Sequence, residues 1–202
     1  MLIQDHYFSK DPKTGHQIQS FQVELLGQKL KFWTDAGVFS KRKLDRGSKL
    51  LLESIDPNFA HKILDLGCGY GPIGITLAKL APQAQIYMSD VNSRAVELSK
   101  RNAQENRVFN TEVRQGDGFQ PFWGEQFDLI VTNPPVRAGK EVIYDFFAQA
   151  KEHLTPSGSL VLVIRTQQGA KSAQRKLEEL YPKVLETERG GGFRVFRCWK
   201  NN

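Results

Sequence analysis

Polar and apolar residues alternate along Gln19-Ser-Phe-Gln-Val-Glu-Leu-Leu and again along Gln28-Lys-Leu-Lys-Phe-Trp-Thr. A period of two marks strands with one face buried and one in water. With a bend at Gly27-Gln28, the two runs predict an antiparallel hairpin. The period lengthens through Leu44, Leu51, Leu52 and Ile55, which predicts a helix that Pro57 ends. From Lys62 onward short apolar runs alternate with helix-period segments. The runs at 62–66, 85–90, 111–115, 127–132 and 160–164 read as buried strands. Helices are expected over 74–81, from a cap at Asn92 or Ser93 to about 106, over about 139–153 and over about 170–181. In the third of these, Val142, Ile143, Phe146, Phe147, Ala150 and Leu154 share one face. Segments 183–188 and 193–199 close the chain as a second hairpin across Gly190-Gly-Gly192. Strand–helix alternation with short loops predicts a doubly wound, mostly parallel seven-stranded α/β sheet, with ligands at the strands' C-terminal ends. Residues 1–40 then form a small N-terminal β-hairpin extension, and 41–202 the α/β domain.

The first of those buried strands runs into Asp65-Leu-Gly-Cys-Gly-Tyr-Gly-Pro-Ile-Gly74. Glycines at 67, 69 and 71 allow a sharp turn and a close approach of something to the backbone. Pro72 suits the first turn of a helix, whose N-terminus offers N–H groups and the positive end of a dipole. Gly69-x-Gly71-x-x-Gly74 matches a dinucleotide fingerprint. In register with the strand end, however, the pattern is Asp65-x-Gly67-x-Gly69-x-Gly71. A buried acid two residues before the first glycine suits a cofactor with a cationic amino acid head and repels a pyrophosphate. The pattern resembles the first motif of the class I S-adenosylmethionine-dependent methyltransferases.

Composition sets the bounds. At 202 residues, 40% apolar and 25% charged, the chain has a globular profile and enough length for one full core. The apolar run 160–164 is far too short to span a bilayer. The start Met-Leu-Ile-Gln-Asp-His lacks the ordered regions of an export signal, so a cytoplasmic location is expected. Cys68 and Cys198 are too few for a disulfide framework, which agrees with a reducing compartment. The four histidines are scattered without metal spacing, and no metal is expected. A net charge of +6 favours an acidic partner such as nucleic acid.

Asp90 ends the second buried strand, 19 residues after Gly71. An acid about 20 residues past such a loop can accept both ribose hydroxyls. Asn92 would then line the adenine edge. The methyltransferase resemblance further implies that Asp117, in Gln115-Gly-Asp-Gly118, accepts from the adenine amine, with Phe119 or another apolar side chain against the ring. Asp65, Gly67, Cys68, Gly69, Gly71, Asp90, Asn92, Asp117, Gly118 and Asn133 are the expected cofactor residues.

Thr132-Asn-Pro-Pro135 carries the catalytic expectation. Pro134 and Pro135 stiffen the chain past a strand end and remove two N–H donors. The Asn133 amide oxygen and the Pro134 carbonyl remain as acceptors. A planar NH2 donating one hydrogen to each would aim its lone pair at an electrophilic methyl group. That is catalysis by fixed dipoles, without a protein nucleophile. Cys68 reads as a small filler.

The Asn-Pro-Pro motif is similar to that of methyltransferases acting on planar nitrogens. With Asn133-Pro-Pro-Val-Arg-Ala-Gly-Lys140, Gly37-Val-Phe-Ser40 and Leu44-Asp-Arg-Gly47, the chain resembles the small-domain family that includes the bacterial 16S ribosomal RNA guanine-N2 methyltransferase. The resemblance covers roughly residues 20 to 200. It implies the class I, Rossmann-like fold ending on an antiparallel strand, S-adenosyl-L-methionine as cofactor, and Phe39 and Ser40 closing over the site. Many relatives carry an aromatic residue after the second proline, where this chain has Val136. RNA, as rRNA or a ribosomal particle, is the expected partner, with Arg137, Lys140 and Arg165 on its phosphates and Lys41-Arg-Lys43 adding to that face. The alternatives are a protein glutamine N5-methyltransferase, a nicotinamide enzyme, and an RNA-binding assembly factor without turnover. The subunit count stays open.

Overall fold

The computed structural model describes residues 15–38, 43–134 and 139–201. The first hairpin is β1 (Gln19–Leu25) and β2 (Gln28–Thr34), paired antiparallel from Gln19↔Thr34 to Leu25↔Gln28. Its bend lies one residue earlier than the sequence implies. Leu26 (φ 49°) and Gly27 (φ 76°) are both left-handed, the backbone of a type I′ turn that matches strand twist.

Helix α1 (Arg46–Glu53) starts at an Asp45 cap, so Leu44 lies just outside it. The α/β alternation then runs β3 (Lys62–Leu66), α2 (Pro72–Leu80), β4 (Gln85–Asp90), α3 (Ser93–Glu105), β5 (Thr111–Gln115), β6 (Phe127–Thr132), α4 (Lys140–Glu152), β7 (Leu154–Arg165), α5 (Ala170–Leu180), β8 (Lys183–Gly190) and β9 (Phe193–Trp199). Helix α2 begins two residues before the expected 74, because Pro72 occupies its first turn behind a left-handed Gly71. Strand β7 begins at Leu154 rather than 160. The expected turn at Pro156-Ser-Gly158 is an irregularity inside the strand, between the pairs Phe127↔Leu154 and Leu129↔Ser159.

The main sheet has the order β5-β4-β3-β6-β7-β9-β8. Strands β3 to β7 pair in parallel, and β9 inserts antiparallel between β7 and β8. The order reverses at β3, which has β4 on one side and β6 on the other. Such a switch point leaves a crevice at the strands' C-terminal ends.

Both faces are covered, which explains the continuous apolar runs. Ile63, Ile86, Met88, Leu129, Val131 and Val161 pack on one side with α2, α3 and the hairpin's Leu30 and Phe32. Leu64, Ile130, Leu160 and Phe196 pack on the other with Phe147 and Leu177 of α4 and α5. None of the described helices is long and apolar enough to cross a membrane.

Hydrogen bonds as well as apolar contact join the hairpin to the sheet domain. Asn102 of α3 accepts from the Trp33 N–H at 2.7 Å and donates to the Trp33 and Tyr70 carbonyls at 2.9 and 2.8 Å. One turn on, Asn106 makes the same pair with Lys31, at 2.9 and 2.8 Å. The two amides thus stand in for a neighbouring strand along the open edge of β2. Through Tyr70, Asn102 also touches the glycine loop. Asn102→Ala would take the partner from one buried and two half-buried backbone groups, and is expected to cost about 2–4 kcal/mol in urea unfolding. A loss below about 1 kcal/mol would mean that apolar contact alone holds the hairpin.

Candidate active site

Five strand ends converge on one crevice. After β3 the chain turns through Gly67, Gly69 and Gly71, all at positive φ. At Gly71 a Cβ would also lie 2.9 Å from Ile75 Cδ1 and 3.1 Å from Ser99 Oγ. At Gly74 a Cβ would meet the Met88 sulfur at 2.5 Å, so only glycine lets α2 press this closely on the sheet.

The loop's amides are already engaged. The Gly67 and Cys68 N–H groups both reach the Ser89 carbonyl at 2.9 Å, and the Gly71 N–H reaches the Cys68 carbonyl at 2.9 Å. Gly69 N–H donates to Asp90 Oδ2 at 2.9 Å. Gly74 N–H, in the first turn of α2, donates to Asp65 Oδ2 at 2.8 Å. The sequence pointed to a helix N-terminus with N–H groups on offer. Instead the protein's own Asp65 takes a first-turn N–H from behind the loop, an acid at the helix end that a pyrophosphate would need.

Asp65 was expected to face a cationic ligand head. It lies behind the loop, 1% exposed and away from the crevice wall, with Oδ1 unpartnered among the described residues. Burial pushes its carboxyl up to about 7, against the pull of the Gly74 N–H and helped by the Asp90 charge. The ordinary value is 3.8. Above 3.8 the unfolded chain releases this proton while the folded chain keeps it until about 7. Stability contributed by the protonated form therefore falls as pH rises through that window, by up to about 4 kcal/mol. Asp65→Asn removes the effect. Relative to it, the parent protein is expected to lose stability as pH rises from 3.8 to about 7 in urea titrations. Parallel pH profiles would show that the carboxyl is ionised throughout.

Asp90 stands at the end of β4. Beyond Gly69, it accepts the Asn92 N–H on Oδ1 at 2.9 Å. Burial raises its carboxyl above the ordinary range, while those backbone donors lower it. Both oxygens are fixed, and the residue lines the crevice.

Asn92, expected at the adenine edge, is fully buried elsewhere. Its Oδ1 caps α3 at the Ala95 N–H, and its Nδ2 holds the Gly37 carbonyl at 3.0 Å. Capping and clamping take both ends of the amide, so it cannot also line the crevice.

Asp117 and Gly118 do line it. Phe119 does not: it turns into the core and stacks on His153, with ring centroids 4.6 Å apart. Val91 and Phe146 supply the apolar wall in its place. Cys68 is on the wall too, its thiol pushed well up by burial and by the Asp90 and Asp65 charges, so it is no nucleophile.

At the end of β6, Thr132 Oγ1 donates to the Leu66 carbonyl at 2.8 Å, tying the two central strand ends together. Asn133 and Pro134 follow on the crevice wall. Asn133 Nδ2 donates to Asp45 Oδ2 and to Ser48 Oγ, each at 3.1 Å. Pro135, Val136 and Arg137 lie outside the described residues, as do Phe39, Ser40, Lys41 and Arg42. Lys43, Arg46 and Arg165 stand at the mouth with Gln168 and Phe193. Lys140 opens α4 and is not on the wall, but a Cβ at Gly169 would lie 4.0 Å from its Cε. It therefore comes close to the turn that follows Arg165.

The crevice encloses about 910 Å³. Sequence reasoning missed Asp45 and Ser48 as neighbours of Asn133, although Asp45 ahead of an apolar-periodic run carried a cap signal. It also placed Phe146 only on the core face of its helix.

This sheet, with its reversed last strand and its acid-tied glycine loop, has the class I methyltransferase fold. The chain belongs to the methyltransferase small domain family, whose model matches residues 29–197. It is 43% identical over 198 residues to the uncharacterized protein YbxB of Bacillus subtilis (strain 168), covering 97% of this chain and 98% of that one. It is 38% identical over 166 residues to ribosomal RNA small subunit methyltransferase C of Haemophilus influenzae (strain PittGG), covering 78% of this chain and 49% of the relative. The T. thermophilus 16S rRNA N2 methyltransferase RsmC, solved in complex with AdoMet and guanosine, superposes with a TM-score of 0.83 at 26% identity. That match covers 94% of this chain and 52% of that one. The chain thus spans about half the length of these two named methyltransferases.

Proposed function

We propose that this protein is an S-adenosylmethionine-dependent N-methyltransferase acting on an exocyclic NH2, guanine N2 in ribosomal RNA. The observation that carries the reading is Asn133-Pro134 at the end of β6, on the wall of the same crevice as Asp90 and the glycine loop.

The crevice fits this cofactor. Its volume of about 910 Å³ is at the upper end of small-molecule sites, which run to about 1,000 Å³. That is room for a nucleoside cofactor and a base together. The engaged loop amides and the carboxylate at the α2 N-terminus disfavour the pyrophosphate of a nicotinamide dinucleotide. The Asp90 carboxylate, held by backbone donors, accepts ribose hydroxyls. Asp117 accepts from the adenine amine, with Val91 and Phe146 against the ring. Gly67, Cys68, Gly69 and Gly118 allow close approach, while Gly71 and Asp65 act indirectly by shaping the loop. When bound, S-adenosylmethionine supplies an electrophilic methyl group on a sulfonium.

Asn133 Oδ1 and the Pro134 carbonyl accept the two hydrogens of the target NH2, which leaves its lone pair directed into the crevice. Arg165 and Arg46 at the mouth, with Lys140 and Arg137, contact phosphates of the RNA. The reaction takes place in the cytoplasm, and the β1–β2 hairpin of the extension packs on the domain of residues 41–202 away from the crevice wall.

Purified protein given S-adenosylmethionine and rRNA or ribosomal particles is expected to yield N2-methylguanosine on mass spectrometry of the nucleosides. Methyl label on protein glutamine, or none on any RNA, would overturn the reading.

A further inference from the structure

We propose that Asp45 is a positioning residue for Asn133, holding the amide with its nitrogen turned away from the substrate and its oxygen toward it. The proposal rests on the methyltransferase reading of the crevice. A primary amide is nearly the same shape on both sides, so a half-turn of its last bond exchanges donor for acceptor at little steric cost. In the catalytic loop that exchange is decisive. With the oxygen forward, Asn133 accepts from the target NH2. With the nitrogen forward, two donors face each other and the amine is expelled. Packing cannot make this choice, but the chemistry of the partner can.

The partner here is an acceptor. Asp45 caps α1, its Oδ1 taking the Gly47 N–H at 2.8 Å and its Oδ2 the Ser48 N–H at 3.1 Å. Both oxygens thus already act as acceptors. Oδ2 then takes a further hydrogen, from Asn133 Nδ2 at 3.1 Å, across 88 positions of sequence. Ser48 Oγ receives the same nitrogen at 3.1 Å. Two acceptors converge on one end of the amide, and the oxygen is left to the other side.

The cap keeps this carboxylate in place. Gly47 lets Phe193 come up against the start of α1, where a Cβ would meet the ring at 2.9 Å. Hence the device couples the first helix, the last strand and the catalytic loop.

Asp45→Asn tests it without removing the cap, because asparagine caps helices as well as aspartate does. The new amide would use its oxygen on the α1 N–H groups and turn its own nitrogen to Asn133, which then reverses. Methyl transfer is expected to fall about 10²-fold in kcat, with affinity for S-adenosylhomocysteine and KM for RNA nearly unchanged. Ser48→Ala, which leaves one acceptor, should lose less. In an Asn133→Ala background, Asp45→Asn should cause no further loss, because the two residues act as one unit. A further loss of the same size there would overturn the proposal.

Side-chain amide NMR with labelled asparagine separates this inference from the functional reading. The Asn133 amide hydrogens should carry the signature of a carboxylate partner and lose it in Asp45→Asn. If they do so in a protein that methylates no amine, the positioning stands and the proposed reaction falls. An amide signal indifferent to Asp45 overturns the positioning, whatever the activity.

Discussion

Asn133→Ala is expected to lower methyl transfer by about 10²–10³, the scale of removing one preorganised polar partner from a reacting centre. On the proposed reading the amide meets the amine, while the cofactor's anchors are on other strand ends, Asp90 closing β4 and Asp117 just past β5. Affinity for S-adenosylhomocysteine should therefore be nearly intact. Single-turnover methylation and calorimetry on the same preparation decide the matter. Equal loss of binding and of activity would mean that the loop after β6 is structural, a real alternative because Asn133 also ties that loop to α1 through Asp45 and Ser48.

Asp90→Ala is expected to weaken S-adenosylhomocysteine by about 1.5–3 kcal/mol, or roughly 10- to 150-fold. The effect should reach the upper part of that range, because two functions fail together. The ribose loses its charged acceptor, and Gly69 loses the partner that shapes the loop. Asp90→Asn separates them: an amide oxygen can still take the Gly69 N–H but is a poorer acceptor for two hydroxyls. Unchanged affinity in the alanine variant, or tighter binding of NAD than of S-adenosylhomocysteine, would sink the cofactor assignment.

How far the site could be read in advance differs from residue to residue. Asp90, Asp117 and Asn133 each close a strand, and a strand end in a parallel sheet points at the crevice whatever surrounds it. Their positions were legible for that reason. Asp65 and Asn92 sit in the same motifs and looked equivalent. Yet Asp65 falls on the side of β3 that packs under α2, and Asn92 falls at a helix cap. One residue of offset decides whether a polar group meets a ligand or the protein's own backbone. Phe119 and Phe146 exchanged roles for a similar cause. Both are aromatic, but His153 gives Phe119 a stacking partner in the core, and Phe146 is left on the wall.

By itself the sequence determined the alternation of strand and helix, because hydrophobic period and glycine–proline punctuation are local properties of the chain. It also determined the order in which the acids and the Asn-Pro-Pro turn reach the strand ends. Only the tertiary structure decided which acceptors those groups meet. The Asp45–Asn133 contact spans 88 positions, and the Asn102 and Asn106 contacts with β2 span 69 and 75. Such pairs leave no periodic trace, since each depends on where two distant elements come to rest. A hydrogen bond demands that placement to within a fraction of an ångström, which burial pattern alone does not specify.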